Sequence, residues 1–315
     1  MTEAAPQRTL DPHKFRDPDW TAKGERRATV ELRRLRTLWI NTGTLCNLTC
    51  RNCYIESSPT NSRLAYISAA EAAAYLDELE QMTGVEEVGF TGGEPFMNPE
   101  FPAMLEDALG RGFRALVLTN AMKPMMKVRE RLLAIRERFG ERLVMRVSMD
   151  HYSQALHETE RGRRSWAPAL EGLRWLSQRG FTLNVAGRTV WGEPEEQLRA
   201  GYARLFAAQG IAVDARDRAA LVLFPEMDET QDVPEITTAC WGILHVNPEE
   251  MMCSSSRMIV KRKGAERPAV VACTLLPYAP QFELGQTLAE AARTVKLNHP
   301  HCAKFCVLGG GSCTG

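Results

Sequence analysis

The chain has no surplus of either charge. Lysine plus arginine and aspartate plus glutamate number 39 each, so the formal net charge is zero. A domain that holds a nucleic-acid backbone carries a basic surplus, and its absence argues against a nucleic-acid partner. Long apolar runs are missing too: none approaches the ~18 residues that a membrane helix needs. The first residues, MTEAAPQRTLDPHKF, hold no apolar core of a secretory signal. These absences predict a cytoplasmic chain with no membrane partner. In that reducing setting nine cysteines are not expected to pair as disulfides. Their clustering points to metal instead. The remaining composition, 44% hydrophobic and 25% charged over 315 residues, suits a soluble protein with one large domain or two.

The densest cluster is CNLTCRNC, with Cys46, Cys50 and Cys53 at C-x3-C-x2-C directly after the apolar run Leu38-Trp39-Ile40. Three thiolates on so short a loop hold three corners of a cubic iron-sulfur cluster, which normally takes four. One iron is then left open for another ligand. The alternative is part of a zinc site, which needs a fourth Cys or His. His13 lies far upstream and His151 far downstream, so a zinc reading needs a spatial neighbour. A second motif follows: the apolar run Val85 to Phe90 ends in Thr91-Gly92-Gly93-Glu94-Pro95. Its two glycines admit a close backbone approach to a ligand.

The two motifs, in this order and at this separation, resemble the radical S-adenosylmethionine (SAM) superfamily. That resemblance implies a [4Fe-4S] cluster on Cys46, Cys50 and Cys53, with SAM chelating the open iron. It implies that the Gly92-Gly93-Glu94 turn receives the SAM amino group. It places Ser148, at the end of the run Leu143 to Met149, near the SAM carboxylate or ribose, and Asp150 beside it on the same strand face. A plain barrel-lining hydroxyl is the alternative for Ser148. Arg188 is a candidate for the SAM carboxylate, with a structural ion pair as its alternative. Where relatives usually carry an aromatic residue or His before the third cysteine, this chain has Asn52, so an adenine contact there would be mainly through backbone. Tyr54 follows the cysteine, as in many relatives. The stretch His157 to Gly162 leading to Trp166 also looks like the SPASM-type branch. The implied chemistry is one-electron cleavage of SAM, supplied by a flavodoxin- or ferredoxin-type donor, giving a 5′-deoxyadenosyl radical that takes a hydrogen atom from substrate.

Along the chain, residues 1–32 are polar, with Pro6, Pro12 and Pro18, and are expected to form an extended arm or a short helix. They are too few for a separate peptide-recognition domain. Residues 33–225 alternate apolar runs with helical patterns. Ser68 is expected to cap a helix running to Met82, and Asn98 one running to Leu109; helices over 128–139, 166–178 and 193–209 each end at a glycine. Six βα-like units mean a parallel sheet with helices outside. Pattern alone leaves an open doubly wound sheet and a partial barrel equally open. The resemblance implies an incomplete (β/α)6 barrel of TIM-like type, with the chemistry at the C-terminal ends of its strands.

After Phe224-Pro225 that pattern is expected to stop, and the acidic stretch 226–239 reads as a linker. Residues 226–315 are expected to form a small, irregular, cysteine-rich domain carrying Cys240, Cys253, Cys273, Cys302, Cys306 and Cys313. It resembles the SPASM or Twitch extension, which holds auxiliary clusters. The expected ligands of one auxiliary [4Fe-4S] cluster are Cys253, Cys273 and two of the three terminal cysteines. Structural zinc, or buried thiols packing as small hydrophobes, is the alternative. The substrate expected from the resemblance is a peptide or protein, with a small molecule of natural-product or cofactor biosynthesis as alternative. A non-catalytic iron-sulfur or zinc protein is the reading from another class.

Overall fold

The computed structural model describes residues 9–225 and 228–310. In chain order the first half contains β1 (Thr29–Val30), β2 (Thr37–Asn41), α1 (Ala69–Glu80), β3 (Glu87–Thr91), α2 (Phe101–Gly110), β4 (Arg114–Thr119), α3 (Lys123–Lys127), α4 (Arg129–Phe139) and β5 (Leu143–Ser148). Then follow α5 (Gln154–Arg161), α6 (Trp166–Gln178), β6 (Thr182–Arg188), α7 (Glu195–Gln209) and β7 (Leu221–Phe224). The last part holds α8 (Cys240–Leu244), β8 (Ser256–Val260), β9 (Ala269–Val271), β10 (Glu283–Gly285) and β11 (Val295–Lys296).

Strands β2 to β7 lie side by side, all parallel, in the order of the chain. No strand order reverses, so the sheet is not doubly wound; it is a partial barrel with helical crossovers. The strands form because their apolar runs are covered on both faces: β2 is buried at every position, and β5 at all but its last. Gly89 in β3 leaves room for the Trp39 ring of β2, since a Cβ there would sit 2.4 Å from Trp39 Cε3. Among the described residues no helix is long and apolar enough to cross a membrane.

Helix starts agree with the sequence in part. Ser68 caps α1 in a full capping box with Glu71, an arrangement worth about 1 kcal/mol. The N-cap residue of α2 is Glu100, whose N donates to Asn98 Oδ1 at 2.9 Å. Asn98 Nδ2 also donates to Thr42 O and Ile67 O at 3.0 and 2.9 Å, tying the turn after β3 to the loop after β2.

The sheet ends at β7 on one side but extends beyond β2 on the other. Strand β8 pairs in parallel with β2, Thr37 opposite Ser256, and β9 and β10 add antiparallel beyond it. The stretch expected to act as a linker packs closely: Val233 and Ile236 are buried, and the polar arm lies along it. Arg27 is buried with Glu235 at 2.6 Å and also donates to Trp20 O at 2.8 Å, while β1 pairs with β11.

Candidate active site

Strand β2 ends at Asn41, and the cysteine loop is held at once by the neighbouring turn. Thr42 N and Thr42 Oγ1 both donate to Thr91 O, at 2.9 and 3.0 Å. Gly93 N donates to Gly43 O at 2.8 Å and Glu94 N to Leu45 O at 3.2 Å. The two loops therefore run in contact at the C-terminal edge of the sheet. This contact by itself requires the glycines. A Cβ on Gly92, whose φ is +140°, would lie 2.5 Å from Gly43 O, and one on Gly93 would lie 2.3 Å from Leu45 O.

Cys46, Cys50 and Cys53 all line one cavity of about 130 Å³, together with Gly92, Gly93, Asn120, Ser148, Asp150, Arg161 and Arg188. Leu48 N and Asn120 Nδ2 donate to Cys46 Sγ at 3.4 and 3.9 Å, and Ser57 N donates to Cys53 Sγ at 3.3 Å. Such N–H donors stabilise sulfur that carries negative charge. Burial nonetheless pushes the Cys46 thiol up to about 12 and the Cys50 thiol upward as well. Ionised sulfur at this place therefore needs a cation beside it, which a metal supplies.

Glu94 is not part of that wall. Its carboxylate is 1% exposed and is held by its own chain. Asn120 N donates to Oε2 at 2.8 Å; Thr119 Oγ1 and Phe96 N donate to Oε1 at 2.9 and 3.3 Å. Burial pushes this carboxyl up to about 7 against the pull of those donors. Its side chain joins the turn after β3 to the end of β4, which the motif reading did not foresee.

Arg188, at the end of β6, donates from Nη1 to Asn52 O at 3.0 Å. Its Nε and Nη2 are buried and have no hydrogen-bond partner among the described residues. Unsatisfied guanidinium donors are costly. Two free donors of one fork match a carboxylate entering the cavity. Asn52 is occupied on its other side, donating from Nδ2 to Glu160 Oε2 at 2.8 Å. Ser148 and Asp150 both face the cavity, as their two-residue spacing predicts. Asp150 pairs with Arg161, whose Nε and Nη2 lie 2.9 and 3.1 Å from its carboxylate oxygens. Arg161 and Asn120 were missed in the sequence. The signal for Arg161 would have been α5, a short polar helix that projects its last residue toward the Cys50 loop.

Beyond the cysteine loop a larger cavity of about 460 Å³ opens. It is lined by Asn52, Cys53 and Tyr54, by Leu275 to Ala279, and by Glu229, His299 and His301. Burial holds His299 near 3 and His301 near 4, so both imidazoles are neutral.

Four C-terminal cysteines converge on a further small cavity of about 20 Å³: Cys253, Cys273 just after β9, and Cys302 and Cys306 on one wide helical turn of π type. Burial pushes Cys253 up to about 11 and Cys302 well above the thiol range. Cys240 is not brought to this cavity; its Sγ accepts from Thr237 N at 3.3 Å. Cys313 lies outside the described residues.

The chain is similar to known proteins over part of its length. It is 30% identical over 142 residues to the antilisterial bacteriocin subtilosin biosynthesis protein AlbA of Bacillus subtilis (strain 168), covering 45% of this chain and 30% of that protein. It is 28% identical over 141 residues to the AdoMet-dependent heme synthase of Oleidesulfovibrio alaskensis, covering 44% of this chain and 34% of that protein. The matches thus span about a third of those relatives' length. Among solved structures, anSMEcpe with bound AdoMet and Kp18Cys peptide shares the fold, with a TM-score of 0.58 at 14% identity, covering 83% of each chain. The family model of the radical SAM superfamily matches residues 40–200, from β2 and the cysteine loop into α7. With that match running through more than half its length, the chain belongs to the radical SAM superfamily.

Proposed function

We propose that the chain is a radical SAM enzyme that modifies a peptide or protein. In this reading Cys46, Cys50 and Cys53 hold a [4Fe-4S] cluster and SAM occupies the adjoining cavity. The observation that carries it is the convergence on one cavity of three thiols and the unpartnered Nε and Nη2 of Arg188. Held by Cys46, Cys50 and Cys53, such a cluster would supply one-electron reduction of SAM, and with it hydrogen-atom abstraction from substrate. The chain's own part is to orient and to shield. Arg188 fixes the SAM carboxylate, Ser148 borders its ribose or carboxylate, and Gly92 and Gly93 present backbone to its amino group. Glu94 acts at one remove, by holding that turn against β4.

The division at 225 and 226 is proposed as functional. Residues 33–225 form the SAM-cleaving part, after the arm 1–32, and 226–315 carry an auxiliary [4Fe-4S] cluster on Cys253, Cys273, Cys302 and Cys306. A flavodoxin- or ferredoxin-type protein is the electron donor, in the cytoplasm. The peptide reading is supported by the bacteriocin biosynthesis relative and by the peptide bound in the anSMEcpe structure. A small-molecule substrate is the second reading, favoured by the heme synthase match of nearly equal extent.

The test is anaerobic reconstitution with iron and sulfide, reduction with dithionite, addition of SAM and assay of 5′-deoxyadenosine. Two clusters correspond to about eight irons per chain, and Cys302→Ala is expected to leave about four and to retain SAM cleavage. About four irons in the unaltered protein would remove the auxiliary cluster. Folded protein with no cluster and no cleavage would remove the whole reading in favour of a non-catalytic metal protein. Arg188→Ala is expected to weaken SAM binding about 10- to 100-fold with the iron count unchanged, as read by calorimetry, because a charge-assisted pair is lost.

A further inference from the structure

The large cavity has a wall that the SAM-cleaving reading does not use. Glu229, His299 and His301 meet there, with one donor atom of each within 4.8 Å of the others. His299 Nε2 lies 3.4 Å from Glu229 Oε2. Two ligand atoms each ~2.1 Å from a tetrahedral zinc are also ~3.4 Å apart, so this pair already stands at the spacing of neighbouring ligands. His301 is 5% exposed, and its buried Nδ1 makes no hydrogen bond among the described residues. Leaving a buried ring nitrogen unmet is unfavourable. Phe282 packs edge-on against the His299 ring, with centroids 6.2 Å apart, and holds it toward the cavity.

We propose that Glu229, His299 and His301 form a mononuclear site for a divalent metal of the zinc type, separate from the cysteine clusters, with its fourth position open to the large cavity. The donor set is two imidazoles and one carboxylate, the pattern of zinc sites that keep a place for water or substrate. The same cavity is also lined by Asn52, Cys53 and Tyr54. A substrate donor atom bound there, a carboxylate or thiolate, would be anchored next to the Cys46–Cys53 loop. One local change accompanies binding. In the metal-free chain His299 Nδ1 accepts from His301 N at 3.1 Å, which puts the ring proton on Nε2. The metal takes Nε2, the proton moves to Nδ1, and that single hydrogen bond is given up. One local bond is a small loss against metal coordination. In the sequence the signal is His299-Pro300-His301, an H-x-H spacing just before Cys302.

The proposal stands independently of SAM cleavage, because metal binding is measured without SAM. Cluster-loaded protein is titrated with zinc alone in competition with a chelating dye, and bound zinc and iron are counted after washing. The expected result is one zinc per chain, bound at least ~100-fold more weakly in Glu229→Gln and in His299→Ala, with iron unchanged. Glu229 has an exposed side chain, so its variant keeps the fold. Cobalt in place of zinc is expected to show weak visible bands without sulfur-to-metal charge transfer. Zinc held equally by both variants, a strong sulfur-to-cobalt band, or no retained zinc in the unaltered protein would each overturn the site.

Discussion

Cys50→Ala is expected to remove about four irons per chain and to reduce 5′-deoxyadenosine formation to background. Of the three loop cysteines this one separates chemistry from folding most cleanly. The Cys46 and Cys53 sulfurs accept backbone N–H groups from Leu48 and Ser57, so their loss disturbs the loop itself. The loop is otherwise held by backbone bonds such as Cys46 N to Ser58 O at 3.1 Å, and by Thr44 Oγ1 to Leu64 O at 3.1 Å. The variant is therefore expected to keep the circular dichroism and thermal midpoint of the metal-free parent. Iron analysis and chromatography of the nucleoside read the result. Full iron content with undiminished cleavage would move the cluster away from this loop.

Gly93→Ala is expected to cost about 2–4 kcal/mol of stability and most of the SAM cleavage. The added methyl would meet Leu45 O at 2.3 Å, Leu45 C at 2.6 Å and Thr44 O at 2.7 Å, all of them backbone. No side-chain rotation relieves that overlap. The two loops must separate, which strains the 2.8 Å bond from Gly93 N to Gly43 O and shifts Cys46, the next residue after Leu45. Small displacements of a reacting centre are expensive in rate. Gly110→Ala is the matched control: it closes α2 with nothing within 4 Å of the new Cβ, and is expected to be neutral or slightly stabilising. Denaturant midpoints for both variants decide the matter, and equal midpoints would sink the packing argument.

Much of the barrel was legible because its strands are covered on both faces. Such strands read as continuous apolar runs, and β2, β4 and β5 stand out for that reason. Strand β8 was not legible. It reads SRMIV, and Arg257 within it looks like a surface residue. In the fold Arg257 is 1% exposed, its guanidinium donating to Ala291 O, Cys253 O and Arg293 O at 2.9, 2.6 and 3.0 Å. The Ala291 and Arg293 carbonyls lie 34 and 36 residues further along the chain, so no local pattern announces them. The same reason hid Asn98, whose partners Thr42 and Ile67 belong to another loop. In the candidate site the three loop cysteines and the two glycines were visible as motifs. Of the C-terminal cysteines, Cys253 and Cys273 were singled out with two of the last three, and the cavity holds them with Cys302 and Cys306; which terminal two would join was not legible, because loose spacing does not encode a chain path. Glu94 was visible as a residue but not in its role, since its donors Thr119 and Asn120 lie at the end of a different strand.

The place of β8 beside β2 also bears on how the protein is made. Strands β2 to β7 leave the ribosome in the order in which they pair, so the barrel assembles by adding neighbours as they emerge. The outer edge of β2 has no such neighbour until residues 256–260 have been synthesised. For that interval the nascent chain carries a bare edge on a strand that is buried at every position of the finished fold, directly ahead of the cysteine loop. Closing it requires a contact between segments far apart in the chain, the slowest kind to form. The strand that leads into the first cysteine loop is thus among the first to be translated and the last to be paired on both edges, and cluster loading before release would act beside a strand still open to aggregation.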